Sequence, residues 1–208
     1  KKNLFTKNKK IKILQGPQFN MIYNNRDLKN NVPKSKKCKI LISSGGSDKK
    51  GMILKLLKQL KNEKKFDFLI PIGPGFDKKQ IENYQKIKQV KLFFNQKNLL
   101  NLMKKSDFNI VSGGLTMFES IASINPTLVI KTYENQKFAI RYFLSKHLIF
   151  YLNTVEKINF SLIYKCLTNF NKIKENQLKK KTKIRKIFSL SNSKKTLNYI
   201  VQYINQNK

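Results

Sequence analysis

Twice in this sequence a short apolar run leads directly into a pair of glycines, and apolar residues at helical spacing follow each pair. In the first unit, Cys38–Ser43 precedes Ser44-Gly-Gly-Ser-Asp48 and a helical pattern over residues 49–62. In the second, Ser112-Gly-Gly-Leu115 ends an apolar run and is followed by a helical pattern over residues 116–124. A strand that passes through a tight turn into a helix begins a β-α-β unit, so the chain is predicted to build a parallel sheet.

The rest of the sequence repeats this alternation. Short apolar runs predict strands at 66–70, 90–93, 127–130 and 148–152, with helical spacing in the intervals between them. From residue 154 onward the pattern is helical. The predicted fold class is therefore α/β: a Rossmann-like parallel sheet of about six strands with helices on both faces, and extra C-terminal helices.

Three segments are predicted along the chain. Residues 38–153 form the Rossmann-like domain and 154–208 a C-terminal helical extension, whereas the polar, irregular residues 1–37 are interpreted as a linker or the tail of a missing N-terminal domain. The sequence begins Lys-Lys rather than Met, which favours a fragment or a processed chain. Its 208 residues are enough for one sizeable core.

The chain is strongly basic, with 44 Lys and Arg against 11 acidic residues and a net charge of +33. Such a balance indicates nucleic acid or an anionic membrane surface as a partner. The lysines are spread along the whole chain with abundant Asn and Ile, however, which an AT-rich coding sequence would also produce. We therefore expect no nucleic-acid partner. A basic nucleic-acid-binding module with its basic run at residues 179–186 remains an alternative, although no recognised reader motif is present.

Metal and membrane sites are not indicated. Cys38 and Cys166 lack CxxC or Cys/His spacing and are expected to be buried thiols, so no metal and no cofactor are predicted. His147, the only histidine, has no acidic or nucleophilic neighbour in sequence and is interpreted as a surface or boundary residue. No apolar run approaches the ~20 residues of a membrane span, and the N-terminus is too polar for a signal peptide. A cytoplasmic location is expected.

The second glycine turn is a candidate phosphate site. Gly113 and Gly114 are expected to take positive φ and to let a ligand approach the backbone. Thr116 is predicted to cap the following helix, with Glu119 completing a capping box. Free N–H groups at a helix start beside glycines suit a phosphate. The alternative is a turn that needs glycine only for its geometry.

The first glycine turn also lies between a predicted strand and a predicted helix. A carboxylate beside a phosphate would repel it, so Ser47 is predicted to contact the phosphate and Asp48 to cap the helix. Ligands of parallel sheets lie beyond the carboxyl ends of the strands. We therefore expect both glycine turns, with residues 94–95 and 133–136 after two other strands, to converge on one crevice.

These motifs resemble the C-terminal nucleotide-binding half of GT-B-fold nucleotide-sugar enzymes. Within that group the sequence is most similar to the UDP-sugar hydrolase of pseudaminic acid biosynthesis and the related spore-coat polysaccharide protein family. The resemblance covers roughly residues 11–152 and rests on Leu14-Gln-Gly-Pro17, Ile40-Leu-Ile-Ser-Ser-Gly-Gly-Ser-Asp48, Ser112-Gly-Gly-Leu-Thr-Met-Phe-Glu119, Pro126-Thr-Leu-Val-Ile130 and Glu134-Asn-Gln136.

The resemblance implies a UDP-sugar site. The glycine turns would hold the diphosphate, Glu119 the ribose hydroxyls, and the loop after the strand at 90–93 the uracil. The alternative for Glu119 is that it only caps the helix. The implied nucleotide-binding residues are Gly45, Gly46, Ser47, Phe94, Asn95, Ser112, Gly113, Gly114, Leu115, Thr116 and Glu119, and those facing the sugar and phosphate are Asn135 and Gln136.

The implied function is that of the nucleotide-binding domain of a UDP-sugar hydrolase in surface-polysaccharide biosynthesis, acting on a pseudaminic or sialic-type sugar. A GT-B glycosyltransferase that uses a UDP-sugar is the alternative, because one UDP site serves both reactions. The hydrolase family's catalytic histidine lies in a glycine-rich loop of an N-terminal domain that is expected to be missing here. No catalytic residue is assigned, and this chain alone is expected to bind nucleotide and catalyse little.

Overall fold

The computed structural model describes residues 37–96 and 98–206, together with residues 14, 16 and 19. Strands and helices alternate through most of this part of the chain, and none of its helices is long and apolar enough to cross a membrane. The strands are β1 Cys38–Ser43, β2 Phe66–Ile72, β3 Val90–Phe94, β4 Phe108–Ser112, β5 Thr127–Lys131 and β6 Phe150–Thr154. The helices are α1 Met52–Leu60, α2 Lys78–Gln85, α3 Leu99–Lys104, α4 Leu115–Ala122, α5 Lys137–Ser145, α6 Phe160–Thr168, α7 Phe170–Lys179, α8 Lys181–Ile187 and α9 Leu190–Gln206.

The six strands form one parallel sheet in the order β3-β2-β1-β4-β5-β6. The chain starts in the middle of the sheet, builds outward to β3, and then returns to the middle at β4. Ile40 lies beside Phe108 in the register of β1 and β4. A sheet with this order has its crevice where the loops after the two central strands diverge. The structure thus confirms the predicted fold class.

Alternate side chains of the central strands enter two hydrophobic layers. Ile40 and Ile42 of β1 lie in the layer that α1, α2 and α6 cover, and Leu41 lies in the layer of α3, α4, α5 and α8. Helix α1 forms because its apolar residues recur on one face, which is fully buried against the first layer. Those residues are Met52, Ile53, Leu56, Leu57 and Leu60.

Several element boundaries differ from the prediction. Helix α1 begins at Met52 rather than at residue 49, after Gly51 in the left-handed conformation with φ of 65°. Strand β6 covers Phe150–Thr154 rather than 148–152. The division of the chain at 153 and 154 stays a prediction. The predicted linker over residues 1–37 lies outside the described residues except at 14, 16, 19 and 37.

The C-terminal helices pass from one face of the sheet to the other. After α6, Phe170 packs on Phe108, with ring centroids 5.5 Å apart. Lys174 of α7 then places its Nζ 3.0 Å from Asp107 Oδ1, at the amino end of β4. The other Asp107 oxygen accepts a hydrogen bond from the Lys39 N–H at 2.9 Å. Helix α8 continues into the second layer, where Ile184 is buried.

Replacing Lys174 with methionine is expected to lower the free energy of unfolding by about 2 kcal/mol, because the buried Asp107 carboxylate would lose its cation. Methionine keeps an apolar side chain against Phe170, so packing is largely retained. Urea unfolding measures the loss. The matched control is Lys172→Met on the exposed face of α7, expected within about 0.5 kcal/mol of wild type. Equal stability of the two variants would refute a structural role for the ion pair.

Candidate functional site

The loops after β1 and β4 meet at the carboxyl edge of the sheet. Ser112 at the end of β4 donates a hydrogen bond from its hydroxyl to the Ser44 carbonyl, 3.2 Å away. A Cβ placed on Gly45 would lie 3.7 Å from Thr116 Oγ1, which is ordinary van der Waals contact. The two glycine turns are therefore adjacent in space, as the sequence predicted.

Helix α4 has an open amino terminus. Its N-cap residue is Gly114, and no side chain caps the helix. Within the described part of the chain, no protein acceptor lies on the N–H groups of Gly114, Leu115 and Thr116. The predicted N-cap at Thr116 and capping box with Glu119 are wrong, because the helix starts at Leu115 and both residues lie inside it. The uncapped end leaves its N–H groups available to an anion.

Gly113 is required for space rather than for an unusual φ. Neither Gly113 nor Gly114 has positive φ, which corrects the prediction for this turn. A Cβ on Gly113 would lie 2.6 Å from Ile140 Cδ1 and 3.1 Å from Gln136 Oε1. The turn thus lies directly under α5 and the loop before it. Gly45, in the first glycine turn, does have positive φ, at 94°.

The loop after β5 forms the third side of the site. Gln136 Oε1 accepts hydrogen bonds from the Thr132 N–H at 2.8 Å and the Tyr133 N–H at 3.3 Å. This fixes the amide so that its Nε2 lies 3.8 Å from a Cβ placed on Gly114. Asn135, the other predicted member of this loop, is exposed. Thr116, Gly114 and Gln136 therefore surround one point at the start of α4.

Asp48 occupies the amino terminus of α1. Its carboxylate accepts hydrogen bonds of 2.9 Å from the N–H groups of Met52 and Ile53 and from the Tyr84 hydroxyl. This confirms that Asp48 satisfies the helix start, although Gly51 is the N-cap residue. Burial raises the pKa of Asp48, and the three hydrogen bonds oppose that rise. Two first-turn amides of α1, those of Met52 and Ile53, are thus already used, whereas no side chain caps α4.

Ser44 carries a buried hydroxyl that makes no hydrogen bond to any described residue. It lies close enough to Asp48 to help lower the pKa of that carboxyl. The sequence predicts Ser47 as the contact to the phosphate, because a carboxylate at Asp48 would repel it.

Ser47 faces the loop after β2. A Cβ placed on Gly75 would lie 2.8 Å from the Ser47 Cβ, and the Gly75 N–H donates to the Gly46 carbonyl at 2.9 Å. Gly73 packs even more closely, since its Cβ would lie 2.7 Å from the Gly46 carbonyl oxygen. These two glycines support the first turn from the side opposite α4. A nucleotide contact by Ser47 stays a prediction.

Glu119 is a half-buried carboxylate without a partner. No hydrogen bond or ion pair joins its side chain to any residue that the structure describes, and burial raises its pKa. A charged group that gives up water without a compensating contact reduces folding stability. Such a group on the helix that opens the site is a candidate for ligand binding.

Phe94 and Asn95 lie at a distance from the site's centre. They follow β3, which is separated from β4 by β2 and β1 and forms one edge of the sheet. Phe94 is 48% exposed, and Asn95 has a φ of 52°. Three strand spacings of about 4.8 Å place this loop about 14 Å from the end of β4. It borders the same carboxyl edge as the glycine turns without contacting them.

His147 lies just before β6, at the amino edge of the sheet, whereas the glycine turns lie at the carboxyl edge. It is exposed, has a φ of 56°, and ends α5 just before the amino end of β6. This confirms the interpretation as a boundary residue. No cluster of three or more His, Cys, Asp or Glu residues that could hold a metal occurs among the described residues. Burial raises the pKa of Cys166 to about 11, consistent with an unreactive buried thiol.

The sequence pattern gave no signal for three of the contacts described above. These are the close approach of Gly73 to Gly46, the packing of Gly113 against Ile140 and the adjacency of Gly45 and Thr116, all of which depend on which strands are neighbours.

A protein-family model described as a protein of unknown function, DUF354, matches residues 24–191. The chain belongs to the DUF354 family. Two curated proteins are similar to this DUF354 member. One is the uncharacterized protein MJ1062 of Methanocaldococcus jannaschii, 33% identical over 103 residues, which are 47% of this chain and 21% of that protein. The other is the spore coat polysaccharide biosynthesis protein SpsG of Bacillus subtilis, 30% identical over 102 residues, which are 47% of this chain and 30% of SpsG.

Solved structures share the fold of this DUF354 member at low sequence identity. MurG of Acinetobacter baumannii has a TM-score of 0.64 at 14% identity, and the match covers 83% of this chain and 52% of MurG. The UDP-GlcNAc 2-epimerase of Neisseria meningitidis, solved with UDP-GlcNAc, has a TM-score of 0.53 at 20% identity, covering 83% and 45%. The sheet is thus the Rossmann-like sheet of GT-B proteins. The chain spans about half the length of these structures and less than a third of its curated relatives.

Proposed function

We propose that this DUF354 member is the nucleotide-binding half of a UDP-sugar enzyme in polysaccharide biosynthesis. The single observation that carries the proposal is the open end of α4, enclosed by Gly45, Thr116 and Gln136 on loops from three strands. The similarity to SpsG supports the polysaccharide setting. The UDP-GlcNAc held by an epimerase of the same fold supports the ligand class.

In the proposed complex the diphosphate lies against the first-turn amides of α4. The helix end supplies about half a positive charge, and the uncrowded N–H groups of Gly114, Leu115 and Thr116 supply the hydrogen bonds. Gln136 is held at the other side and offers its amide to the sugar or the outer phosphate.

The nucleoside would extend from this point along the carboxyl edge of the sheet. Glu119 would accept hydrogen bonds from the two ribose hydroxyls, which gives its unpaired carboxylate a partner. The loop at Phe94 and Asn95 would meet the base with backbone groups. These assignments keep the residues that the resemblance implied, and each is a prediction.

The reaction that this half would support is cleavage of the bond between the sugar carbon and the diphosphate. UDP leaves with negative charge developing on its outer phosphate, and preorganised amides at the α4 terminus would stabilise that charge. Water attacks in a hydrolase and an acceptor hydroxyl attacks in a glycosyltransferase. The motif resemblance favours the hydrolase, whereas the GT-B architecture fits a transferase at least as well. Either reaction needs a base that we expect on a preceding N-terminal domain.

Replacing Glu119 with glutamine is expected to weaken UDP binding and to stabilise the fold. The amide cannot accept from both ribose hydroxyls, so the dissociation constant should rise about tenfold. The same change removes an uncompensated charge, so the melting temperature should rise by about 1–3 °C. Calorimetric titration with UDP and thermal unfolding at neutral pH measure the two effects. The matched control is Glu175→Gln on the exposed part of α7, which should change neither.

The pH dependence of wild type gives a second measure of the same carboxyl. Burial raises the folded-state pKa of Glu119, so the folded protein binds this proton more tightly than the unfolded chain does. The stability contributed by Glu119 should therefore increase as pH falls through its folded pKa, while UDP affinity decreases. Both trends should be absent from Glu119→Gln. Wild-type protein that fails to bind UDP would contradict the proposed function. A Glu119→Gln variant that binds UDP as well as wild type would contradict the proposed role of Glu119.

A further inference from the structure

A lysine and a tyrosine face each other across the end of β4. Lys50 lies in the loop between β1 and α1, and its Nζ is 6.0 Å from the centroid of the Tyr133 ring, in the loop after β5. Strands β1 and β5 are not neighbours, because β4 lies between them. The pair therefore spans the carboxyl end of β4, which is where the chain turns into the open terminus of α4. Both side chains are accessible, with Tyr133 50% exposed.

The crevice needs a cation that the glycine turns do not provide. A nucleoside diphosphate carries several negative charges, whereas one helix terminus offers only about half a positive charge. Helix α1 adds nothing, since the Asp48 carboxylate accepts from its first-turn amides and leaves a buried negative charge beside the first turn. Charge complementarity therefore requires a basic side chain on one of the three loops.

Lys50 is the basic residue best placed for this role. Lys131, at the end of β5, is paired with Glu134 in an ion pair. Lys50 is in neither an ion pair nor a hydrogen bond with another described residue, and it is one of two lysines that help to lower the pKa of Glu156. Asp48, two positions earlier, is held in place by hydrogen bonds from α1. This keeps the backbone of Lys50 close to the crevice.

We propose that Lys50 is the counter-charge for the diphosphate and that the Tyr133 ring holds its ammonium at the mouth of the site until ligand binds. This inference rests on the proposed function and adds a specificity-determining pair to it. A cation over an exposed aromatic face is held weakly. A charge-assisted hydrogen bond to a phosphate oxygen is stronger, so the ammonium can transfer from the ring to the ligand at little cost.

The pair makes the site selective for the charge of the ligand. Uridine has no phosphate and gains nothing from Lys50, UMP gains in part, and UDP gains most. If Lys50 were only a solvated surface residue, salt would change the affinity for uridine, UMP and UDP to the same extent or not at all. The dependence of affinity on phosphate number is therefore the property that separates a counter-charge from a solvated lysine.

The test compares Lys50→Met with Lys49→Met, its exposed neighbour in the same loop. Wild type and both variants are titrated with UDP, UMP and uridine at low and at high salt. We expect the dissociation constant for UDP to rise about tenfold in Lys50→Met and to change less than about twofold in Lys49→Met. Uridine affinity should be unchanged in both. High salt should weaken UDP binding of wild type more than that of Lys50→Met.

Substitutions of Tyr133 test the other half of the pair. Tyr133→Phe keeps the aromatic face and should bind UDP like wild type, whereas Tyr133→Leu removes a contact made only without ligand and should bind UDP up to about threefold more tightly, with uridine affinity unchanged. Equal UDP binding by Lys50→Met and Lys49→Met, with wild type binding UDP normally, would overturn this inference and leave the proposed function standing. Wild type that does not distinguish UDP from uridine would overturn both.

Discussion

Replacing Asp48 with alanine should lower the free energy of unfolding by about 3 kcal/mol, one of the two largest effects that we expect from a single change. The side chain is 1% exposed and accepts hydrogen bonds from two first-turn amides of α1 and from the Tyr84 hydroxyl. Alanine removes the helix cap and leaves three donors in a buried place without acceptors. Urea unfolding at neutral pH gives the loss directly.

Tyr84→Phe is the matched control for Asp48→Ala. It removes only the hydroxyl contact and leaves both amide contacts of the carboxylate, so a loss of about 1 kcal/mol is expected. Asp48→Asn should fall between the two, since its carbonyl oxygen can still accept from one amide. If Asp48→Ala and Tyr84→Phe lost the same stability, the capping role of the carboxylate would be refuted.

Replacing Gly73 with alanine should be nearly as damaging and should also weaken UDP binding. The added Cβ would lie 2.7 Å from the Gly46 carbonyl oxygen and 2.8 Å from the Gly46 Cα. Both neighbours are backbone atoms, so the first glycine turn must move as a whole. We expect a loss of about 2–3 kcal/mol in unfolding free energy. Denaturant unfolding combined with UDP titration measures both consequences.

Gly46→Ala tests the effect of a methyl group on UDP affinity without the steric clash that Gly73→Ala introduces. A Cβ on Gly46 would meet nothing within 4 Å, so its folding stability should stay within about 0.5 kcal/mol of wild type. Its exposed position beside the crevice should still reduce UDP affinity if the turn contacts the diphosphate. Gly73→Ala with wild-type stability would show that the two loops are not packed as described.

The central unit shows what the sequence was able to predict. The apolar runs that became β1 and β4, and the glycine pairs after them, were visible because strands and tight turns are local patterns. Strand order was not visible, yet it decides that Gly45 meets Thr116 and that Gln136 lies over Gly113. The predicted convergence followed from a general rule for parallel sheets rather than from any residue of this chain.

The start of α4 shows where local reasoning failed. Thr116 and Glu119 have capping-box spacing, but the helix already begins at Leu115. Packing of Gly113 under Ile140 positions the turn, and that contact joins residues far apart in sequence. A local preference worth about 1 kcal/mol was overridden by tertiary contacts. The glycines were correctly selected for close approach, although positive φ was the wrong reason.

The two hydrophobic layers have no side chain in common. The C-terminal helices connect them by passing around the amino edge of the sheet. Phe170 belongs to the layer of α1, Ile184 to the layer of α4, and the Lys174 ion pair fastens the crossing between them. The strands already join the two layers, since their alternate side chains enter both, and the crossing adds a further connection at the amino edge. We therefore expect the Lys174 ion pair to add to the cooperativity of unfolding, although it lies at the edge of the sheet opposite the glycine turns.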